Sequence, residues 1–389
     1  MFSLKYHFLI LLPLLQLIAC ESDNNNQENK RSTPYSYQQP INNNDGWQTA
    51  SLNELNIDSA PLVSLMKNIN NNENGYRYID SILIAKNNRL IFYEQIREQL
   101  DFTDNWGNNK NVNLHILNSV TKSFTSALIG IAIDQGFIPN TEVKVFDYFQ
   151  HKSLNNNWDN RKNEVTLKNW LTMRHGFLWD EWNVSYLDSN NLNSQMNNNN
   201  DPIQFLLDRP MGTNPGESFA YSTGISFGIG RILQLATGLS VTEFMQQNLF
   251  APLNITNFDT WSLDDQLHTG SGLYLNTRDM AKFGQLFLDK GKWQGQQVIS
   301  EAWVNESTTQ IIDKGNWGYG YQWWMTSYDV NGEKLETFYA DGFGGQYIFI
   351  FPKINVVIAI TGSAYEPEQR SQRNLTQVLE QHILPVLVN

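Results

Sequence analysis

Two pairs of strand-like segments stand at opposite ends of this 389-residue chain, and the fold must bring them together. Near the start, Ile79–Lys86 and Arg89–Gln95 are rich in β-branched and apolar residues, and Asn87-Asn88 separates them as a hairpin turn would. Near the end, Tyr347–Phe351 and Val356–Thr361 flank Pro352-Lys353-Ile354-Asn355. From about Asn111 to Phe258 the chain reads as helix and loop. Strands at both termini with helices between predict an α/β fold: one antiparallel sheet from the N- and C-terminal segments, flanked by helices, with a mostly helical region inserted. The α/β part is expected over about 48–110 and 259–389, and the insertion over about 111–258. Ser59–Ile69 carries Leu62, Leu65, Met66 and Ile69 at helical spacing, with Pro61 in the first turn. Gln369–Leu387 reads as a terminal helix. No internal repeat is visible.

The first nineteen residues read as an address. Lys5 precedes an apolar stretch, Phe8–Ala19, that is too short to span a bilayer and suits a secretory signal. It ends in Leu17-Ile18-Ala19-Cys20, which resembles a bacterial lipobox, and Cys20 is the only cysteine. That resemblance implies cleavage before Cys20, lipidation of Cys20 and a lipid-anchored protein at the periplasmic face of the cell envelope. Glu21, not Asp, at the next position favours the outer membrane. Residues 20–47 are expected to be an Asn-rich flexible tether, and 48–389 the folded domain. A single cysteine excludes a disulfide framework and a multi-cysteine metal site. A net charge of −12 argues against a nucleic-acid partner.

The chemistry centres on Asn118-Ser119-Val120-Thr121-Lys122. This segment opens a strongly apolar helix with Phe124, Leu128 and Ile131 on one face and Ala127, Ile129 and Ala132 on others. A helix so apolar is buried on most sides. Asn118 is expected to cap it. Ser119 then lies at the positive end of the helix dipole, and Lys122, three residues on, shares its face. A serine hydroxyl needs a base to become a nucleophile, and a lysine amine is one when burial lowers its pKa. A second Ser-x-x-Lys, Ser64-Leu65-Met66-Lys67, lies in the short amphipathic helix and reads as chance.

Four further segments occur in an informative order: Thr166-Leu167 to Arg174-His175-Gly176-Phe177, Gly216–Gly224 with Tyr221-Ser222-Thr223, Gly270–Leu288 with a helix that Thr277 is expected to cap, and Asp341-Gly342-Phe343-Gly344-Gly345-Gln346 before a strand. Together with the Ser119 segment they resemble the β-lactamase-related serine hydrolases. That group holds class C β-lactamases, D-aminopeptidases, carboxylesterases and 6-aminohexanoate-dimer hydrolases. The segments from Ser119 and from Gly342 look most like the last branch. The resemblance covers roughly Leu52 to the C-terminus and implies a three-layer fold and no cofactor. It implies Ser119 as acylated nucleophile, Lys122 as base, and Tyr221 as a proton relay whose phenolate a neighbouring ammonium eases. The oxyanion hole would use the N–H groups of Ser119 and Phe343. Gly342 and Gly344 would let backbone approach a substrate.

Two departures narrow the substrate. Thr223 stands where β-lactamases and penicillin-binding proteins have Asn. No Lys-Thr-Gly or His-Thr-Gly precedes Gly342, so the group that binds a β-lactam carboxylate is missing and a small neutral ester or amide is favoured. Trp179, Trp182, Tyr186, Trp317, Tyr319, Tyr321, Trp323 and Trp324 are candidates to wall an acyl pocket. Asp180 and Glu181 are candidates to bind a substrate amine, although a solvated loop is the stronger reading of both. His115, His151, His175, His268 and His382 show no metal-ligand spacing. A D-amino-acid or peptidoglycan-peptide hydrolase, a β-lactamase, and an inert lipid-anchored binding protein remain as alternatives.

Overall fold

The computed structural model describes residues 35–97, 114–186 and 188–388. Cys20, the expected signal and most of the expected tether lie outside them. Both expected strand pairs are present, and they share one sheet. Ile79–Lys86 and Arg89–Gln95 pair antiparallel across Asn87 and Asn88, whose φ values of 53° and 59° are the left-handed conformation that such a turn requires and that Asn tolerates. Gln346–Phe351 pairs with Val356–Gly362 around a short 3-10 turn. Val356–Gly362 then pairs with Ile79–Lys86, with Ile358 opposite Ile84, and this pairing joins the two ends of the chain.

The full sheet has nine strands. Its order is Gln48–Thr49, Arg89–Gln95, Ile79–Lys86, Val356–Gly362, Gln346–Phe351, Glu333–Gly342, Trp324–Val330, Gly318–Tyr319 and Ile312–Asp313. Every neighbouring pair is antiparallel except the first, which is parallel. Side chains alternate between faces, and both faces of the centre are buried. Leu83, Ala85, Ile348, Ile350, Val357 and Ala359 join the large core shared with the helices, while Ile82, Ile84, Ile358 and Ile360 are fully buried on the other side. The helix Thr277–Leu288 lies across the first face. Its cap is Asn276 and not Thr277: Asn276 has the extended backbone of a cap and accepts from Asp279 N, whereas the Thr277 hydroxyl bonds Ser81.

The inserted region holds the helices Thr121–Asp134 and Thr223–Thr237 and several shorter ones. It is stitched shut by a small ribbon that periodicity did not suggest, in which Leu273–Leu275 pairs with both His115–Ile116 and Asp259–Thr260. The terminal helix is shorter than expected. Pro367–Ser371 is a separate turn of helix, and the chain then bonds back to Gly75 through Gln372 O and Asn374 N before Asn374 caps the run Leu375–Leu387.

The expected tether also ends early. Tyr37 donates its hydroxyl to Ile91 O, Asp45 forms a two-bond ion pair with Arg278, and the Trp47 indole, 2% exposed, donates to Arg278 O. Aromatic burial and a charge-assisted pair hold this stretch on the sheet, so residues 37–47 belong to the folded body.

Candidate active site

The segment that holds Ser119 is a tight 3-10 turn, Asn118–Val120, placed just before the helix Thr121–Asp134. Asn118 does not cap that helix. Its φ is 48°, and its side-chain amide donates to Phe343 O at 2.7 Å. The left-handed backbone therefore turns Asn118 toward the strand Glu333–Gly342 and ties Ser119 to the turn that holds Phe343. Ser119 and Phe343 line the same cavity. Gly342 and Gly344 do not line it. A Cβ on Gly342 would sit 2.2 Å from Leu117 O, and Gly344, at φ 93°, has Tyr365 against it. Both glycines let protein approach protein, and so bring the two turns together.

Lys122 is 2% exposed. Its amine lies 2.9 Å from Ser119 Oγ, 3.1 Å from Thr223 Oγ1 and 2.8 Å from Gly270 O. Burial takes its pKa from the ordinary 10.5 to about 7, against the pull of the Glu181 carboxylate, which raises it. Ser64 and Lys67, the second copy of the pattern, are both exposed on the outside of a helix.

The Tyr221 ring centroid is 5.0 Å from the Lys122 amine, and the Ser119 hydroxyl is near enough to pull the Tyr221 pKa down a little. The expectation of an easily formed phenolate is reversed. Burial, with Tyr319, Tyr186 and the Glu181 carboxylate nearby, pushes the Tyr221 pKa well up. Tyr221 is thus held in its protonated form beside the Lys122 amine. Its ring packs against both Trp182 and Trp324, at centroid distances of 5.1 and 5.7 Å, and those two rings also contact each other at 6.3 Å. The loop under it is held by His175, whose Nδ1 accepts from Phe177 N and whose Nε2 donates to Ala220 O at 2.8 Å. That tautomer is neutral, and burial keeps the His175 pKa at about 4. Sequence reasoning tested His175 only as a metal ligand and missed this role.

Glu181, not Asp180, belongs to the site. Glu181 is 1% exposed and accepts four hydrogen bonds: Trp179 Nε1 and Thr223 N on Oε2, Thr223 Oγ1 and Tyr186 OH on Oε1. Asp180 is exposed and caps its own loop through Trp182 N, Asn183 N and the Asn183 amide. Trp179 packs on Gly224, where a Cβ would come 2.7 Å from the ring, and so supports Glu181 without lining the cavity. Tyr321 and Trp323 are core residues. Of the aromatic candidates only Tyr186 reaches the cavity wall, joined by Trp261 and Phe343.

The cavity has a volume of about 490 Å³. Its exposed wall is mostly apolar in area, with polar groups of Asp188, Asn193, Asn197 and Ser271 set into it, and no lysine or arginine lines it among the described residues. Among the described residues no group of His, Cys, Asp or Glu is arranged to hold a metal ion.

A half-buried serine bonded to a buried lysine, with a buried tyrosine beside them, at the edge of a cavity is an arrangement that suits acyl transfer. The chain is similar to several known proteins. The 6-aminohexanoate-dimer hydrolase of Paenarthrobacter ureafaciens is 24% identical over 302 residues, which cover 67% of this chain and 69% of that protein. The lovastatin esterase of Penicillium rubens is 24% identical over 134 residues, 33% of this chain and 32% of that one. The solved structure of a hydrolase with promiscuous acyltransferase activity superposes with a TM-score of 0.62 at 12% identity, covering 83% of this chain and all (100%) of the other. The family model for beta-lactamase matches residues 81–383, most of the chain, so the protein belongs to the beta-lactamase family and is a serine hydrolase.

Proposed function

We propose that the protein cleaves small neutral or amine-bearing esters and amides through a Ser119 acyl-enzyme. The observation that carries the reading is the 2.9 Å contact between the Ser119 hydroxyl and a fully buried amine whose pKa is about 7. Neutral Lys122 takes the Ser119 proton as Oγ attacks the substrate carbonyl. The oxyanion is held by the N–H groups of Ser119 and Phe343, which the Asn118 bond keeps in one locality. Tyr221 gives its proton to the leaving alkoxide or amine and recovers one from the Lys122 ammonium. A water then attacks the acyl group, its proton passes to Lys122, and Ser119 leaves with that proton restored.

The cavity supports the substrate class. It offers Asp188 and amide or hydroxyl groups, and among the described residues no lysine or arginine lines it to meet a substrate carboxylate. One relative is named for an amide, a 6-aminohexanoate dimer, and another for an ester, lovastatin. Treatment with a fluorophosphonate followed by peptide mass spectrometry tests the reading. The adduct is expected on Ser119 and absent in Ser119→Ala; an adduct on Ser64 with Ser119 untouched refutes it. The proposed address is the cell envelope, through lipid on Cys20, and its support is the lone cysteine at the end of the lipobox-like segment. Unchanged processing and membrane fractionation in Cys20→Ser would refute that address.

A further inference from the structure

Three hydrogen-bond partners surround the Lys122 amine, and their chemistry dictates which one receives its lone pair. A neutral amine has two N–H bonds and one lone pair. Gly270 O, at 2.8 Å, can only accept, so it takes one N–H. The Thr223 and Ser119 hydroxyls can each donate or accept. If the Thr223 hydroxyl donated to Lys122, it would occupy the lone pair, and Ser119 would lose its base.

Glu181 decides this choice. A carboxylate only accepts, and Thr223 Oγ1 lies 2.6 Å from its Oε1. The Thr223 hydrogen is therefore committed to Glu181. Its oxygen presents lone pairs to Lys122 at 3.1 Å and takes the second N–H. The lone pair is then left for Ser119 Oγ at 2.9 Å. We propose that Glu181 is a positioning residue: by fixing the direction of the Thr223 hydroxyl, it aims the lone pair of Lys122 at Ser119. Thr223 and Glu181 together replace the acceptor that an Asn supplies at this place in β-lactamases. The inference rests on the reading of Lys122 as base.

Glu181→Gln makes the idea testable, because its amide has one best orientation. The Trp179 and Thr223 N–H donors on Oε2 cannot turn round, so the amide oxygen must face them. The amide NH₂ then faces the two hydroxyls, which can rotate. Thr223 reverses, and its hydrogen competes with Ser119 for the amine. The variant also removes the charge that raises the Lys122 pKa. Other titratable groups near the amine do not confuse the readout. Burial, first, and Lys122 itself hold His268 neutral with a pKa of about 3, and burial keeps Tyr221, Tyr186 and Tyr319 protonated.

The experiment measures kcat and KM of a chromogenic ester against pH for the full-length wild type, Glu181→Gln, Thr223→Val and the double variant. Active sites are counted by fluorophosphonate, so only folded protein enters the rate. Glu181→Gln should lose about 10 to 10²-fold in kcat with KM little changed, part of what a positioned base supplies. Its acid limb should move to lower pH. Thr223→Val should also slow the enzyme, with no such downward shift, because the Glu181 charge remains. The double variant should be no slower than Thr223→Val, since Glu181 acts on rate through that hydroxyl. Wild-type rate and an unmoved limb in Glu181→Gln, or losses that add in full, overturn the proposal. If Glu181→Gln yields no active sites, Thr223→Val decides alone: a wild-type rate overturns the proposal. Lys122→Ala acylating at the wild-type rate would instead end the reading of Lys122 as base.

Discussion

Replacing Lys122 by methionine tests the depressed pKa without passing through catalysis. In the folded protein burial brings the amine from 10.5 to about 7. In the unfolded chain it returns to about 10.4. Between these values the unfolded chain binds a proton that the folded protein does not. Stability therefore rises with pH across that window, by about 1.36 kcal/mol per pH unit for this one group. Below about pH 7 the ammonium is present in both states, and the whole cost of burying it stands against folding. Methionine has a similar reach, is apolar and carries no proton. The stability of Lys122→Met minus that of wild type should then be largest near neutral pH and shrink by about 2–3 kcal/mol by about pH 9. Lost hydrogen bonds and changed packing shift the difference at both pH values alike and leave its slope. Urea unfolding at about pH 6.5 and about pH 9, extrapolated to water, measures it. A gap that stays constant within about 0.5 kcal/mol would refute the claim that Lys122 is near-neutral in the folded protein. The same ionisation should shape catalysis. The neutral fraction falls about tenfold from pH 8 to pH 6 for a group of pKa near 7, and single-turnover acylation should fall with it. An acylation rate flat over that range would contradict the assignment of the base.

Tyr221→Phe keeps the ring against Trp182 and Trp324 and removes the proposed proton donor, so kcat should fall by about 10²-fold or more while the melting temperature barely moves. His175→Ala leaves Ala220 O and Phe177 N without their shared partner; it should lower both melting temperature and kcat, and a change in KM alone would argue against its place under Tyr221. Short-chain aryl esters should be cleaved faster than cephalosporins, because among the described residues no lysine or arginine lines the cavity to receive a β-lactam carboxylate; an equal or higher kcat/KM for a cephalosporin refutes this.

The sheet was legible in the sequence because both hairpins are local. Ile79–Lys86 and Arg89–Gln95 carry their turn residues between them, as do Gln346–Phe351 and Val356–Gly362. The pairing of Ile358 with Ile84 across the chain followed only from the need to bury two apolar strand pairs. Less regular pieces gave no such sign. The hold on Asp45 and Trp47 comes from Arg278 and Trp293, more than two hundred positions away, and that on Tyr37 from Ile91, so an Asn-rich composition read as a free tether. The break before Leu375 is likewise made by backbone bonds to Gly75, a partner that helical spacing cannot reveal.

The same division between local and distant partners runs through the site. Ser119 and Lys122 are three residues apart on one helical stretch, and that spacing alone brings hydroxyl and amine to 2.9 Å. What makes the amine a base comes from elsewhere. Gly270 O arrives from a turn 148 residues on, and Thr223 from the head of another helix. Glu181 comes from an irregular loop with no period of its own, and next to exposed Asp180 it reads as a solvated charge. A buried carboxylate can be told from a surface one only by its donors, and the four donors of Glu181 come from its own loop and from residue 223. One trace did exist in the sequence. Thr223 stands where an amide acceptor is usual, and a hydroxyl accepts reliably from an amine only when its own hydrogen is claimed by a stronger acceptor. The missing Asn thus implied an acceptor somewhere near, and the loop at Glu181 is where the fold supplies it.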